Sequence, residues 1–301
     1  MDTTRIERLG LVVHPQRELG GALAALRGWS DERGIDVVQV PATGADRYVA
    51  EPGDAAACDV IVALGGDGTT LAALRTAAVA GKPVMGVACG SLGALTAVTA
   101  DDLVDALDRV LAGDWTGRTL PALVLSSDGA EPRTGVNDLV IVRQGASQVS
   151  AEVRVDGELF IRFAGDGLVG ATPLGSSAYT LAAGGPVLAP GGSGLVLTPL
   201  APHGGCCPPL VAAGESRLTI ALEPGHGGAR IELDGQIQDR VEPHAPRTLA
   251  VTLRERHATL VALGGEEPLL AGLRRRQVII DSPRMLARDA REAMSRNPVS
   301  G

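Results

Sequence analysis

Asp59-Val60-Ile61-Val62-Ala63-Leu64-Gly65-Gly66-Asp67-Gly68-Thr69-Thr70-Leu71 decides how the chain is read. A short apolar run of strand character meets three glycines around a single aspartate. Leu71, Leu74, Ala78 and Val79 then recur at helical spacing. The stretch predicts a strand, a tight turn and a helix. A helix that opens this way directs unpaired backbone N–H groups and the positive end of its dipole into the turn, so main chain alone makes a phosphate site. The glycines let a ligand approach the backbone and permit φ > 0. Asp67 supplies the carboxylate at the mouth. Beside a phosphate cradle a carboxylate is repulsive unless it organises a metal or takes a proton from an attacking hydroxyl, and both uses point to phosphoryl transfer. A plain turn carrying a solvated acid uses the same residue types, so the rest of the chain has to decide.

The chain has 301 residues, 45% hydrophobic, 2% aromatic, with a net charge of −8. That length suits two domains, with cores built from Val, Leu, Ile and Ala. The acidic balance argues against a general nucleic-acid binder, which needs a basic face. No apolar run is long enough to span a membrane, and the N-terminus lacks a signal peptide's apolar core, so a soluble cytoplasmic protein is expected. Cys58, Cys89, Cys206 and Cys207 form no C-x-x-C pair and read as reduced thiols. Lys82 is the only lysine and stands outside any G-x-x-x-x-G-K-[ST] context, which excludes a P-loop. A nucleoside triphosphate here must be handled by backbone amides, arginines and a metal ion.

Taken in order, 8–13, 35–40, 59–64 and 83–88 read as strands. Residues 19–33, 69–80 and 101–113 read as helices, the last with Asp101 or Asp102 near its N-cap. This alternation predicts a parallel sheet covered by helices, spanning residues 1–117. From about Arg118 strands dominate: 136–143, 167–172, 194–198, 217–222, 229–233, 248–254 and 257–263, with Asp156-Gly157 as a hairpin turn. Residues 118–265 are expected to form a β-rich, sandwich-like domain. The tail, 266–301, carries the Arg274-Arg275-Arg276 run, read as solvated. It also holds a polar helix from Pro283 to Met294, either packing back on the first domain or partly disordered.

The β-rich half contains Gly165-Asp166-Gly167-Leu168-Val169-Gly170-Ala171-Thr172-Pro173-Leu174-Gly175-Ser176-Ser177-Ala178-Tyr179. With the Gly-Gly-Asp-Gly-Thr turn, Val136-Asn137-Asp138, Leu233-Asp234-Gly235-Gln236 and the segment 197–203 ending in His203, this string resembles the NAD kinase family from about residue 8 to 240, in the family's order. Lipid kinases share the glycine turn but not the Thr-Pro-x-Gly-Ser-x-Ala-Tyr segment. The resemblance implies an α/β domain plus a β-rich domain with the active site between them. The reaction would be phosphorylation of the 2′-hydroxyl of NAD's adenosine ribose by ATP, with a divalent metal, Mg²⁺, held mainly by the nucleotide's phosphates. It also implies a homodimer or homotetramer whose site is partly supplied by a neighbouring subunit. By position, Asp67 is the aspartate at the acceptor hydroxyl, and Gly65, Gly66, Gly68 and Thr69 hold phosphates. Asn137, Asp138, Asp166, Ser177, Ala178 and Tyr179 line the dinucleotide site. Asp234 also reads as a plain hairpin turn, and His203 as a structural histidine.

Three segments depart from the family pattern. Ala88-Cys89-Gly90-Ser91-Leu92-Gly93-Ala94-Leu95 lacks the family's Asn and aromatic, Leu174 replaces a polar residue, and Cys206-Cys207-Pro208-Pro209 lacks an Arg. Each loss removes a polar or stacking contact of order 1 kcal/mol. They motivate an alternative, a kinase of this fold acting on a nucleoside, sugar-like compound or specialised metabolite. A nucleotide-sensing protein without turnover is a further rival.

Overall fold

A computed structural model of the chain describes residues 6–19, 21–127, 129–189, 192–264 and 269–296. Elements follow in the order β1 (Arg8–Val13), α1 (Ala22–Arg33), β2 (Asp36–Gln39), β3 (Val60–Gly65), α2 (Asp67–Ala80), β4 (Pro83–Ala88), β5 (Val98–Thr99), α3 (Leu103–Leu111), β6 (Thr116–Ser127), β7 (Arg133–Gly135) and β8 (Asp138–Arg143). Then come β9 (Val149–Val155), β10 (Glu158–Gly165), β11 (Gly167–Ala171), α4 (Tyr179–Ala182), β12 (Leu195–Leu200), β13 (Leu210–Ala212), β14 (Leu218–Pro224), β15 (Ala229–Leu233), β16 (Gln236–Val241) and β17 (Arg247–Ala262), followed by α5 (Leu269–Arg275) and α6 (Pro283–Arg296).

The N-terminal half is a parallel sheet in the order β4-β3-β1-β2. Its strands are covered on both faces, which is why they read as unbroken apolar runs. Leu9, Leu11, Val60, Val62 and Leu64 pack with Leu26, Trp29, Leu103 and Leu107 on the side of α1 and α3. On the other side Val12, Ile61 and Ala63 meet Ala72, Ala73 and Ala77 of α2. The small residues of α2 let it lie close against the sheet.

The C-terminal half is antiparallel and rich in strands. A second sheet, β13-β12-β11-β8-β15-β16, faces β9, β14, β17 and β6 across a core of Leu123, Val153, Ile220 and Val251 on one side and Leu139, Ile141, Leu168 and Leu197 on the other. One strand joins the halves. β17 pairs antiparallel with β14 and β6, and its Thr259 and Leu260 pair parallel with Pro83 and Val84 of β4. The expected strands 248–254 and 257–263 are therefore one long strand. The polar run Arg254–His257 marks an irregularity in the pairing with β6 rather than a turn. The Asp156-Gly157 hairpin is present, with φ of 50° and 88°.

Residues 1–265 and 266–301 are separate compact units. In the second unit α6 begins at Pro283 as the sequence implies, while α5 was not anticipated. Arg274 is engaged at both nitrogens by Asp281, at 2.9 and 2.6 Å, so it is an ion-paired arginine rather than a free one.

Candidate active site

The turn after β3 brings together three glycines and a carboxylate. Gly65 ends β3, and a Cβ there would overlap the Thr69 side chain, which is buried against it. Gly66 is the N-cap of α2 in extended conformation (φ −153°, ψ −164°), and no side chain caps the helix. Gly68, in the first turn, faces open space. None of the three uses the positive φ that glycine permits. The requirement for glycine is steric proximity, of Thr69 at Gly65 and of open approach at Gly68. The first-turn amides of α2 thus lack a side-chain cap and carry the positive end of the dipole.

Asp67, the first helical residue, accepts N–H bonds from Ala94 (2.9 Å, Oδ2) and Leu95 (2.8 Å, Oδ1) in the loop after β4. Gly93 passes so near that a Cβ would overlap the carboxylate. Thr96 Oγ1 accepts from Gly93 N–H (2.8 Å), and Gly65 C=O accepts from Cys89 N–H (2.7 Å), which locks this loop onto the turn. Asp67 is therefore a clasped carboxylate with a fixed orientation. Burial pushes the Cys89 thiol up, and nearby Arg17 opposes that.

A second cluster forms where β7 meets β8. The Asp234 side chain is fully buried and accepts three backbone N–H bonds, from Val136 (2.9 Å), Asn137 (2.7 Å) and Asp138 (3.2 Å). It also lies 4.0 Å from the Arg75 guanidinium. Burial raises its pKa, while the three amides and Arg75 pull it down. Burial is also the main cause that lowers Arg75. Asp138 is pushed up to about 7, first by burial and then by Asp234 and Glu232. The Asn137 side-chain oxygen is buried with no hydrogen-bond partner among the described residues, the kind of acceptor a ligand donor would satisfy.

The segment 172–178 is fastened to this cluster. Thr172 Oγ1 donates to Val136 C=O (2.7 Å), Asn137 C=O accepts from Thr172 N–H (2.9 Å), and a Cβ at Gly175 would overlap Asn137 C=O. Ser177 Oγ donates to Leu174 C=O (3.1 Å). Ala178 is exposed, and so is Tyr179 (43%), which excludes a core tyrosine. Leu174 is buried with Leu71, Leu95 and Val136, so this departure from the family pattern is a packing residue. That apolar cluster ties the two groups of residues together. α2 is their common spine, with Asp67 at its start and Arg75 about 12 Å further along, at 1.5 Å per residue.

Asp166 stands apart. It precedes β11, pairs with Arg143, and lies about 17 Å of strand away from the end of β11 that meets Asp138. Within one chain it does not join Asp67 or Asn137. His203 is exposed, with its Nδ1 2.9 Å from Gln148 Oε1. Among the described residues no group of three or more His, Cys, Asp or Glu could hold a metal. The residues present fit a cation carried by a ligand's phosphates, with Asp67 the nearest carboxylate at the turn. Sequence reasoning missed three contributors. Asp234 stands in a string that carries the family resemblance but reads equally as a hairpin turn, and Arg75 looked like one more charge on a helix. Arg17, in the loop after β1, carried no motif.

Comparison with known proteins places these segments in a family. Residues 7–115 match the model of the ATP-NAD kinase N-terminal domain, and residues 136–263 that of the ATP-NAD kinase C-terminal domain. The chain is 33% identical to an NAD kinase of Chlorobium phaeovibrioides over 80% of its length and 88% of the relative's. It is 32% identical to NAD kinase 1 of Streptomyces avermitilis, over 94% and 90%. Among solved structures, yeast NADH kinase complexed with NADH superposes with a TM-score of 0.76 at 20% identity, covering 93% of this chain and 89% of that one. An Archaeoglobus fulgidus NAD kinase in complex with ATP gives 0.69 at 22% identity, covering 91% and 100%.

Proposed function

The chain belongs to the NAD kinase family, and from that membership we propose that it transfers the terminal phosphoryl group of ATP to the 2′-hydroxyl of the adenosine ribose of NAD, giving NADP. The observation that carries the site assignment is the clasp on Asp67. Two backbone amides orient its carboxylate at the uncapped start of α2. That carboxylate accepts the hydroxyl proton as the ribose oxygen attacks phosphorus and the bond to the leaving ADP breaks. The amides of Gly66, Gly68 and Thr69 hold phosphate oxygens. A divalent ion, when bound, neutralises charge on those phosphates. Asn137, with its unsatisfied side-chain oxygen, and Asp138 hold the adenosine, while the half-buried Ser177 and the exposed Ala178 and Tyr179 line the dinucleotide.

Relatives named NAD kinase at 30–39% identity favour NAD over the alternative hydroxyl acceptors. The inward packing of Leu174 removes one reason for suspecting an altered pocket. Asp166 stands apart from the Asn137 cluster, and in this reading it meets a dinucleotide held by a second copy of the chain, in a homodimer or homotetramer. The cysteines are all free, in keeping with a reducing cytoplasm, and no described helix is long and apolar enough to cross a membrane.

The test is purified protein with Mg²⁺, ATP and NAD, NADP being read by a specific dehydrogenase couple. Turnover of about 1–100 per second is expected. A folded protein that binds ATP yet makes no NADP would overturn the choice of acceptor.

A further inference from the structure

Three neighbouring strands of the parallel sheet, β1, β3 and β4, end side by side. Ligands of such sheets sit beyond the carboxyl ends of the strands. Beyond β3 lies Gly66, and beyond β4 lies Gly90. The loop beyond β1 delivers a guanidinium between them: a Cβ at Gly66 would be 3.6 Å from Arg17 Nη1, and one at Gly90 would be 3.1 Å from it. The loop is built to hold this position. His14 Nδ1 accepts N–H bonds from Gln16 (3.2 Å) and Arg17 (2.9 Å), His14 N–H donates to Leu64 C=O (2.9 Å), and Arg47 Nη1 donates to Arg17 C=O (2.9 Å). Among the described residues the Arg17 guanidinium has no carboxylate partner and no hydrogen bond. An exposed cation fixed beside an uncapped helix start, in a chain whose only lysine is Lys82, is a charge in search of an anion.

We infer that Arg17 binds the phosphates of the donor nucleotide, clamping them against the Gly66 amide. The inference rests on the kinase reading above. Donor rather than acceptor follows from placement: Arg17 lies over β1, β3 and β4, whereas Asn137, Asp138 and the 172–178 segment enter from the antiparallel half. Guanidinium geometry suits two phosphate oxygens at once, which an ammonium cannot match.

The experiment uses the full chain and the variants Arg17→Ala and Arg17→Lys. Steady-state kinetics vary ATP at saturating NAD and the reverse, and thermal shift is recorded with ATP alone and NAD alone. Arg17→Ala should raise KM for ATP about 10- to 100-fold, the loss of a charge-assisted hydrogen bond, and leave KM for NAD near wild type. It should lose the ATP-induced shift, keep the NAD-induced one, and melt unchanged without ligand. Arg17→Lys should recover part of the loss. An unchanged KM for ATP, or an equal rise in KM for NAD, overturns the inference. If wild type makes no NADP but ATP stabilises it and Arg17→Ala abolishes that shift, the acceptor assignment fails while Arg17 stands. If wild type makes NADP and Arg17→Ala is indistinguishable from it, Arg17 fails alone.

Discussion

Gly68→Ala separates what the glycine turn does for the fold from what it does for a ligand. Gly68 is exposed in the first turn of α2, its φ is not positive, and a Cβ would meet nothing within 4 Å. For the fold alone, alanine is the better residue, by about 0.5–1 kcal/mol of helix propensity. A chain of 301 residues unfolds with about 2.1 cal/mol/K per residue, or about 0.6 kcal/mol/K, so the melting temperature should rise by about 1–2 °C. For a phosphate held by the first-turn amides the same methyl is an obstacle, because phosphate oxygens must come within about 2.9 Å of backbone nitrogen. Losing one charge-assisted hydrogen bond costs about 1.5–3 kcal/mol, so kcat/KM for ATP should fall about 10- to 150-fold. The assay pairs thermal melting with the coupled NADP assay. Gly65→Ala is the contrast: its Cβ would overlap Thr69, so stability and activity should fall together. A Gly68→Ala protein that is more stable and has unchanged kcat/KM would refute the claim that these amides hold the donor.

Asp67→Asn should keep the fold, since an amide oxygen can still accept from Ala94 or Leu95, and lower kcat by about 10²- to 10⁴-fold, the usual worth of a general base; full activity would remove Asp67 from the chemistry. Gly93→Ala should displace the Asp67 carboxylate, reducing kcat while the ATP-induced thermal shift persists, which single-turnover rates and melting curves together will read. Asp138 has its pKa raised from 3.8 to about 7, so the native state holds a proton that the unfolded chain has released. Its stabilising effect is complete below about pH 4 and is lost as pH rises through 7, a few kcal/mol at about 1.4 kcal/mol per unit. Asp138→Asn should flatten the fall in melting temperature between pH 4.5 and 8. An unchanged slope would assign that fall to Asp234, whose pKa is raised in the same direction.

What could be read in the sequence follows from the range over which each signal acts. The β3–turn–α2 unit was legible because its apolar run, glycines and helical period are all local, and the Asp156-Gly157 hairpin for the same reason. Non-local features were missed. A break in the period at Arg254–His257 looks the same whether a strand ends or merely shifts register against β6. Asp234-Gly235 is a hairpin turn at φ 50° and 71°, as its residue types suggest. Nothing in the dipeptide announces that the carboxylate takes the amides of residues 136–138, almost a hundred positions earlier. The glycines make the same point. Composition suggests unusual φ, yet Gly65 and Gly93 are required by the side chains lying against them, Thr69 and Asp67. The proposed site draws on the segments 65–69, 93–96, 136–138, 172–179 and 234, and each is fixed by contacts that run directly or through one neighbour to α2. A substitution on the inner face of that helix, at Leu71 for example, would therefore disturb both the carboxylate clasp and the Asn137 cluster, through the apolar side chains of Leu95, Val136 and Leu174 that share its core.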